Sequence, residues 1–210
     1  MELSALLEAA QGCRLVVSSV SPPALALVSD AAEAAALIPE VAGVDLPCPI
    51  VLDYEPVQSL GSDRWLGAMA AFRLFGSSLV IDCGSATTLN HIDHQGVFRG
   101  GAIGPGLRAM TQGMSLATPG LPVADLDGVV VMPARCSEHA VTTGVLLGYA
   151  GLVERLVSSC LANARGGLRL VLTGGNAERL LAVTRLRPVS VPDLVHRGLV
   201  ELAGAGQCGC

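Results

Sequence analysis

The stretch 79–106 gathers the side chains that phosphoryl-transfer chemistry requires. Asp82 closes the apolar run Leu79–Ile81, where a lone carboxylate is costly unless it meets a cation or strong hydrogen-bond donors. Gly84 allows a sharp turn that can approach a ligand, and three hydroxyls follow it, on Ser85, Thr87 and Thr88. An acid for a metal ion beside a glycine–hydroxyl turn for phosphate is typical of phosphoryl-transfer sites.

A second acid, Asp63, lies at the start of a predicted helix over 61–75. One interpretation makes Asp63, or its neighbour Ser62, a helix cap, with Arg64 as a solvated partner. In the other, Asp63 is a general base that takes a proton from an alcohol, while the planar guanidinium of Arg64 holds a substrate carboxylate. Both roles stay open, because a catalytic acid is easily positioned at a helix terminus.

Two weaker patterns complete the candidates. The pair Gly174–Gly175 follows an apolar strand and is either a tight strand-to-helix turn or a close approach to a nucleotide. His91 and His94 flank Asp93, but strand residues alternate between faces. We therefore interpret both histidines as exposed turn residues rather than metal ligands.

The elements that must position these residues follow from hydrophobic periodicity. Strands alternate with helices in the second half, which predicts a mixed or mostly parallel sheet with helices on its faces. The predicted helices are 2–11, 22–36, 61–75, 106–114, 137–162, one after Gly174–Gly175 and one from Asp193. The predicted strands are 13–20, the hairpin 79–103, 168–172 and 188–191, with edge strands or loops at 41–45 and 50–52 and a loop at 118–134.

Composition restricts the function classes. The 210 residues are 51% hydrophobic and carry a net charge of −5, and no basic cluster is present, so we expect neither nucleic acid nor a membrane as partner. All 13 basic residues are arginines, which excludes a Walker A lysine and a Schiff-base lysine. No apolar run approaches the length of a membrane span. Residues 1–10 carry acids where a signal peptide carries bases, and we predict a cytoplasmic protein.

The seven cysteines do not form a metal-binding pattern. Five are scattered singly, and we interpret them as buried free thiols: Cys13, Cys48, Cys83, Cys136 and Cys160. Only Cys208 and Cys210 are close together, in a glycine-rich segment over 206–210 that we expect to be a flexible tail.

Several motifs, taken in order, resemble the type III pantothenate kinases of the acetate and sugar kinase–actin superfamily. Gly61-Ser-Asp-Arg64 resembles the family's G-x-D-R, and Asp82-Cys-Gly-Ser-Ala-Thr-Thr88 resembles D-x-G-T-A-T-T. Gly100–Gly106 resembles G-G-x-I-x-P-G. Leu121-Pro122, Thr173–Gly175 and 192–199 resemble the closing motifs. The resemblance extends over roughly residues 13–200 and is specific because the motifs occur in the same order.

This resemblance implies roles for individual residues. Asp63 would be the catalytic base for the pantothenate hydroxyl, and the substrate would be bound by Tyr54, Gly61, Ser62, Asp63, Arg64 and Ser137. Gly84 and Ser85 would contact ATP, and Asp82 would bind a monovalent cation, K⁺ or NH₄⁺. Ser85 and Ser137 keep the hydroxyl of a family threonine, whereas Asn90 replaces an acid that is common in the family.

The implied fold is α/β, an actin-like and ribonuclease H-like two-lobed kinase with a truncated first lobe. We expect that first lobe at 1–76 and a C-terminal lobe at 77–205. The implied activity is ATP-dependent phosphorylation of pantothenate to 4'-phosphopantothenate, the first step of coenzyme A biosynthesis. Mg²⁺ would accompany ATP, and the family implies a homodimer, for which the apolar helix 137–162 is the candidate interface.

The family's opening strand and D-x-G-N-T/S phosphate loop have no counterpart in this chain. Phosphoryl transfer depends on positioning and charge neutralisation, so losing half of a phosphate clamp would slow it severely. One explanation is a misplaced start or a cut chain, with a complete kinase as the native protein. The alternative is a catalytically impaired paralogue that acts as a pantothenate-binding or regulatory accessory protein.

Overall fold

A computed structural model describes residues 3–10, 12–164 and 166–205. Its helices are α1 (Leu3–Ala9), α2 (Pro22–Ala34), α3 (Ser62–Phe75), α4 (Leu107–Ala117), α5 (Ser137–Asn163), α6 (Ala177–Val183) and α7 (Leu194–Ala205). Its strands are β1 (Leu15–Val17), β2 (Pro39–Val41), β3 (Ser78–Cys83), β4 (Ala86–Ile92), β5 (Phe98–Pro105), β6 (Arg169–Thr173) and β7 (Val189–Ser190).

The strands form two sheets. A small parallel sheet pairs β1 with β2, and a five-stranded sheet has the order β5-β4-β3-β6-β7. Within the larger sheet only β4 runs opposite to its neighbours, because β3, β4 and β5 form antiparallel pairs and β6 and β7 are parallel to β3. This mixed sheet confirms the predicted α/β class, and its strand order is that of a ribonuclease H-like lobe.

Helices cover both faces of the large sheet, because alternate residues of a strand point to opposite sides. On one face Leu79 and Ile81 of β3 pack with Tyr149 and Val153 of α5. On the other face Val80 packs with residues of α3 and α7. Asp82 lies two residues after Val80 and therefore on the same face of the sheet. The Asp82 carboxylate thus lies on the side that α3 covers.

Helix α5 differs from the expectation that no segment resembles a membrane span. It has 27 residues and is apolar enough, by length and composition, to cross a bilayer. However, one stripe of the helix, from Val141 to Val157, is buried in the core against β3 and β4. A core helix passes the same test, so this property is weak support for a membrane segment.

Most predicted elements agree with the observed ones to within about three residues at their ends, and 118–134 contains no helix or strand. The exceptions are 41–45, which overlaps β2 only at Val41, and 50–52, where Leu52 forms an isolated bridge. The expected tail at 206–210 lies outside the described residues. A lobe boundary at 76 stays a prediction. One hydrophobic cluster joins both sides of that position, because Trp65 and Leu66 pack with Ile92, Phe98 and Leu202.

The interpretation of the cysteines as buried is wrong in part. Cys83 is buried and Cys48 and Cys160 are half-buried, but Cys13 and Cys136 are exposed. A thiol adds little to an apolar pattern, and single cysteines in short or irregular segments give no sequence signal that separates the core from the surface.

Candidate active site

Asp63 lies in the first turn of α3 and is half-buried. Gly61, and not Ser62 or Asp63, occupies the cap position before the helix, with no side-chain cap. The capping interpretation is therefore wrong for both side chains. Asp63 instead accepts a hydrogen bond from the backbone N–H of Arg64 at 2.9 Å, and Ser62 exchanges a hydrogen bond with Ser18 at 2.8 Å.

Gly61 is required by the position of the Asp63 carboxylate. A β-carbon on Gly61 would lie 2.5 Å from Asp63 Oδ1 and 2.9 Å from a methyl carbon of Val20. Any larger residue would therefore displace the acid. This close approach gives a physical reason for the glycine two residues before the aspartate.

Arg64 is a buried cation whose side chain has only neutral hydrogen-bond partners among the described residues. Its Nε donates to Asn90 Oδ1 at 2.7 Å, and its Nη1 donates to the hydroxyl of Tyr54 at 3.1 Å. The guanidinium also stacks against the rings of Tyr54 and Phe98, 5.4 and 5.7 Å from their centroids. Arg64 thus keeps donors free for an anionic ligand, since a guanidinium has five N–H groups.

Asp82 lies at the end of β3 against two glycines. A β-carbon on Gly84 would be 3.7 Å from its Oδ1, and one on Gly174 would overlap it. Within the described residues no hydrogen bond reaches this carboxylate. Burial, and then the nearby Asp63 carboxylate, raise the pKa of Asp82 to about 6. A carboxylate in this state is suited to a cation that offsets its charge.

Replacing Asp82 with Asn should stabilise the protein at neutral pH when no cation is bound. The folded-state pKa lies above the unfolded value of about 3.9, so stability falls as pH rises from about 4 to 6. Above that window the ionised group costs about 2–3 kcal/mol, taking about 1.4 kcal/mol for each pH unit. Asp82→Asn should remove this cost, as measured by chemical denaturation between pH 4 and 8 in low salt.

The exposed Asp30 of α2 provides the matched control. Asp30→Asn should change the free energy of unfolding by no more than about 0.5 kcal/mol at any pH. If the stability difference between Asp82→Asn and the unchanged chain did not vary with pH, the assignment of a raised pKa to Asp82 would be wrong.

The turn after Asp82 is held by Asn176, a residue that the sequence did not single out. The backbone N–H of Asn176 donates to the carbonyl of Cys83 at 2.9 Å. Its side-chain amide donates to the carbonyls of Cys83 and Gly84 at 3.3 and 3.4 Å. An asparagine directly after Gly174–Gly175 is the signal that could have indicated this contact, because asparagine often bonds backbone in turns.

A cavity of about 590 Å³ opens beside this turn, lined by Gly84, Ser85, Arg108, Ala109, Gln112, Leu126, Gly175, Asn176 and Arg179. Helix α4 starts against it, since a β-carbon on Gly106 would lie 2.6 Å from the Gly84 carbonyl. Arg179 is paired with Asp127 at 2.8 Å, whereas Arg108 takes part in no ion pair within the described residues. Glycine backbone, a hydroxyl and an arginine together are suited to phosphate.

The structure brings most of the predicted site residues into one region between α3 and the sheet. Asp63 and Asp82 are close enough to interact electrostatically, and Tyr54 contacts Arg64 directly. Gly84 and Ser85 line the adjoining cavity. Ser137 is exposed at the start of α5, and no hydrogen bond or cavity of the described residues connects it to Asp63.

The histidines are only partly as expected. His94 is exposed in the turn, but His91 lies half-buried in β4. The described residues contain no group of three histidine, cysteine or acidic side chains that could hold a metal ion. A further cavity, of about 940 Å³, is lined by both histidines and the end of α5 and contains none of the predicted site residues.

The chain is similar to proteins of one enzyme family. A family model described as type III pantothenate kinase matches residues 1–159. A type III pantothenate kinase from Alkalilimnicola ehrlichii is 39% identical over 74% of this chain and 63% of its own length. One from Azoarcus sp. is 37% identical over 72% of this chain and 57% of its own length. One from Porphyromonas gingivalis is 33% identical over 89% of this chain and 77% of its own length.

The chain thus spans about 60% of the length of the first two of these relatives. Among solved structures, a Campylobacter jejuni protein described as a Baf family transcriptional activator aligns with a TM-score of 0.64 at 20% identity. The alignment covers 99% of this chain and 89% of that one. At this level of identity the similarity concerns the fold alone.

Proposed function

Because this chain belongs to the type III pantothenate kinase family, we propose that it transfers the γ-phosphoryl group of ATP to the primary hydroxyl of pantothenate. The product would be 4'-phosphopantothenate, the first intermediate of coenzyme A biosynthesis. The observation that supports this most strongly is the pair of acids, Asp63 and Asp82, between a buried arginine and a glycine–hydroxyl cavity.

The geometry supports a division of roles at the site. The side chains of Arg64 and Tyr54, joined by a hydrogen bond, bind the carboxylate end of pantothenate, with Gly61 and Ser62 beside it. Asp63 accepts the proton of the attacking hydroxyl as the oxygen–phosphorus bond forms and the bond to the ADP leaving group breaks. Ser137 is a proposed further substrate contact.

Asp82 is the proposed ligand of the monovalent cation, K⁺ or NH₄⁺. Within the described residues its half-buried carboxylate accepts no hydrogen bond, so it fits one positive charge, and carbonyl oxygens of the neighbouring turn would be hard ligands for such an ion. When bound, the cation supplies charge neutralisation beside the nucleotide. Gly84 and Ser85 hold the nucleotide phosphates, and Mg²⁺ accompanies ATP.

We also propose a cytoplasmic homodimer, as the family membership implies. The candidate interface includes the outward face of α5, where Leu161 is exposed, and the edge strand β5, where Ile103 is exposed. Light scattering of the purified chain would measure its mass in solution.

The test is an assay of ADP release with pantothenate, ATP, Mg²⁺ and either K⁺ or Na⁺, with mass spectrometry of the product. We expect ADP release that requires pantothenate and is faster with K⁺. The same assay on a chain extended upstream in frame tests whether a further phosphate loop is needed. Calorimetric binding of pantothenate with no ADP release from either chain would favour an accessory binding protein. If the chain showed neither pantothenate binding nor ADP release, the proposal would be rejected.

A further inference from the structure

The loop 118–134 and helix α6 meet in a salt bridge that has no role in the proposed function. Arg179 of α6 donates from Nε and Nη2 to the two carboxylate oxygens of Asp127, at 2.8 and 3.1 Å. A bidentate pair of this kind holds a guanidinium in one orientation. The Nη1 of Arg179 donates to Oδ1 of Asn176 at 3.2 Å. Arg179 therefore links the loop to the residue that precedes α6.

Asn176 occupies the cap position of α6, where an asparagine usually bonds the first N–H groups of its own helix. Its side chain makes no such cap. The amide nitrogen instead donates to the carbonyls of Cys83 and Gly84, which lie 93 and 92 residues earlier in the sequence. The side chain thus contributes to the turn after Asp82 rather than to the start of its own helix.

Arg179 determines which end of the Asn176 amide faces that turn. A guanidinium only donates hydrogen bonds, so it selects the amide oxygen, and the amide nitrogen is left to face the carbonyls of Cys83 and Gly84. In the reversed orientation the amide oxygen would face these carbonyl oxygens, and the side chain would supply no donor to them. Without Arg179 nothing among the described residues bonds the amide oxygen of Asn176.

The two carbonyls held by Asn176 belong to the peptide groups that carry the N–H of Gly84 and of Ser85. In a trans peptide the C=O and the N–H point in opposite directions, so both N–H groups point away from the Asn176 amide. Neither N–H has a hydrogen-bond partner within the part of the chain that the structure describes. Consecutive free backbone N–H groups suit an anion, and both residues line the 590 Å³ cavity.

We propose that Arg179, held in place by Asp127, is a positioning residue for phosphate binding by the turn at Gly84 and Ser85. It acts through Asn176, whose amide keeps the carbonyls of the turn on one side and leaves the N–H groups free on the other. This inference rests on the proposed function, because it takes the cavity beside Ser85 as the nucleotide site. Through Asp127, the loop 118–134 also takes part in nucleotide binding.

The experiment is a double-mutant cycle measured with two ligands, ADP and adenosine, which differ in their phosphates. Calorimetry measures both affinities for the unchanged chain, Asn176→Ala, Arg179→Ala and the double variant. Asn176→Ala should weaken ADP binding at least about fivefold, because a hydrogen bond to a charged group is worth about 10- to 100-fold. Arg179→Ala should weaken it at least about threefold for the same reason. Adenosine affinity should change by no more than about twofold in either variant.

The double variant distinguishes positioning from direct contact. If Arg179 acts only through Asn176, the double variant should bind ADP within about twofold of Asn176→Ala alone. A guanidinium that contacted the phosphates itself would add its own loss of affinity. Arg155→Ala, which removes an exposed arginine of α5, provides the control for charge and should leave both affinities within about twofold. Thermal unfolding of each variant checks its fold.

The outcomes separate this inference from the proposed function. Additive losses in the double variant, or equal losses of ADP and adenosine affinity, would overturn the positioning role and leave the proposed function intact. An ADP affinity that either single substitution leaves unchanged would overturn it as well. If ADP does not bind the unchanged chain, the proposed function fails and this inference fails with it.

Discussion

Replacing Asp63 with Asn should lower kcat for pantothenate phosphorylation by about 10²- to 10⁴-fold, the usual contribution of a positioned general base. Asparagine keeps an oxygen that can accept from the backbone N–H of Arg64, which Asp63 contacts at 2.9 Å. The local structure and the Arg64 pocket should therefore persist. Steady-state kinetics should show a large fall in kcat with a KM for pantothenate changed by no more than about threefold.

Asp30→Asn provides the control for charge alone, because Asp30 is an exposed acid of α2. This variant should retain the rate of the unchanged chain. If Asp63→Asn retained that rate too, the assigned base would be wrong. Asp82 would then be the next acid to test, since it is the carboxylate whose charge acts on the same site.

Gly174→Ala should destabilise the protein by about 2–5 kcal/mol and displace the carboxylate of Asp82, the proposed cation ligand. Gly174 has φ of +93°, and an alanine β-carbon there would lie 2.6 Å from the backbone N and C of Cys83 and overlap the Asp82 carboxylate. A left-handed conformation costs an L-residue about 1–2 kcal/mol, and overpacking against backbone adds about 1–3 kcal/mol. The melting temperature should fall by about 5–15 °C.

The neighbouring glycine provides a matched control. Gly175 does not have a left-handed, positive φ, and a β-carbon on it would meet no heavy atom within 4 Å. Gly175→Ala should therefore change stability by no more than about 0.5 kcal/mol. The comparison concerns stability only, because Gly175 also lines the 590 Å³ cavity beside Ser85, the proposed nucleotide site. Similar melting temperatures for the two variants would refute the close approach of Gly174 to Asp82.

The helices and strands could be predicted because they depend on local periodicity. The apolar run before Asp82 and the alternation after it correctly indicated β3 and β4. These signals are contained in short windows of sequence and do not require knowledge of tertiary contacts. The prediction of one site for Asp63 and Asp82 instead depends on the family resemblance over residues 13–200, and the two acids are close enough to interact electrostatically.

The contacts that define the site could not be predicted, because they join distant segments. Asn90 and Arg64 are 26 residues apart in sequence, and Asn176 reaches Cys83 across 93 residues. No local pattern separates an asparagine that bonds a buried arginine from one in a turn. The capping prediction failed for a related reason, since the position of Asp63 against Gly61 and Val20 depends on packing.

The turn between β3 and β4 also restricts how this protein can evolve. Cys83 pairs with Thr87 and Asp82 with Thr88, so the three residues between Cys83 and Thr87 fix which face each side chain of β4 occupies. An inserted or deleted residue there would shift the register by one and turn Asn90 away from Arg64. Lineages that keep this site should therefore tolerate substitutions in the turn but not changes in its length, so gapless alignment across 78–92 is a criterion for recognising functional descendants in genome data.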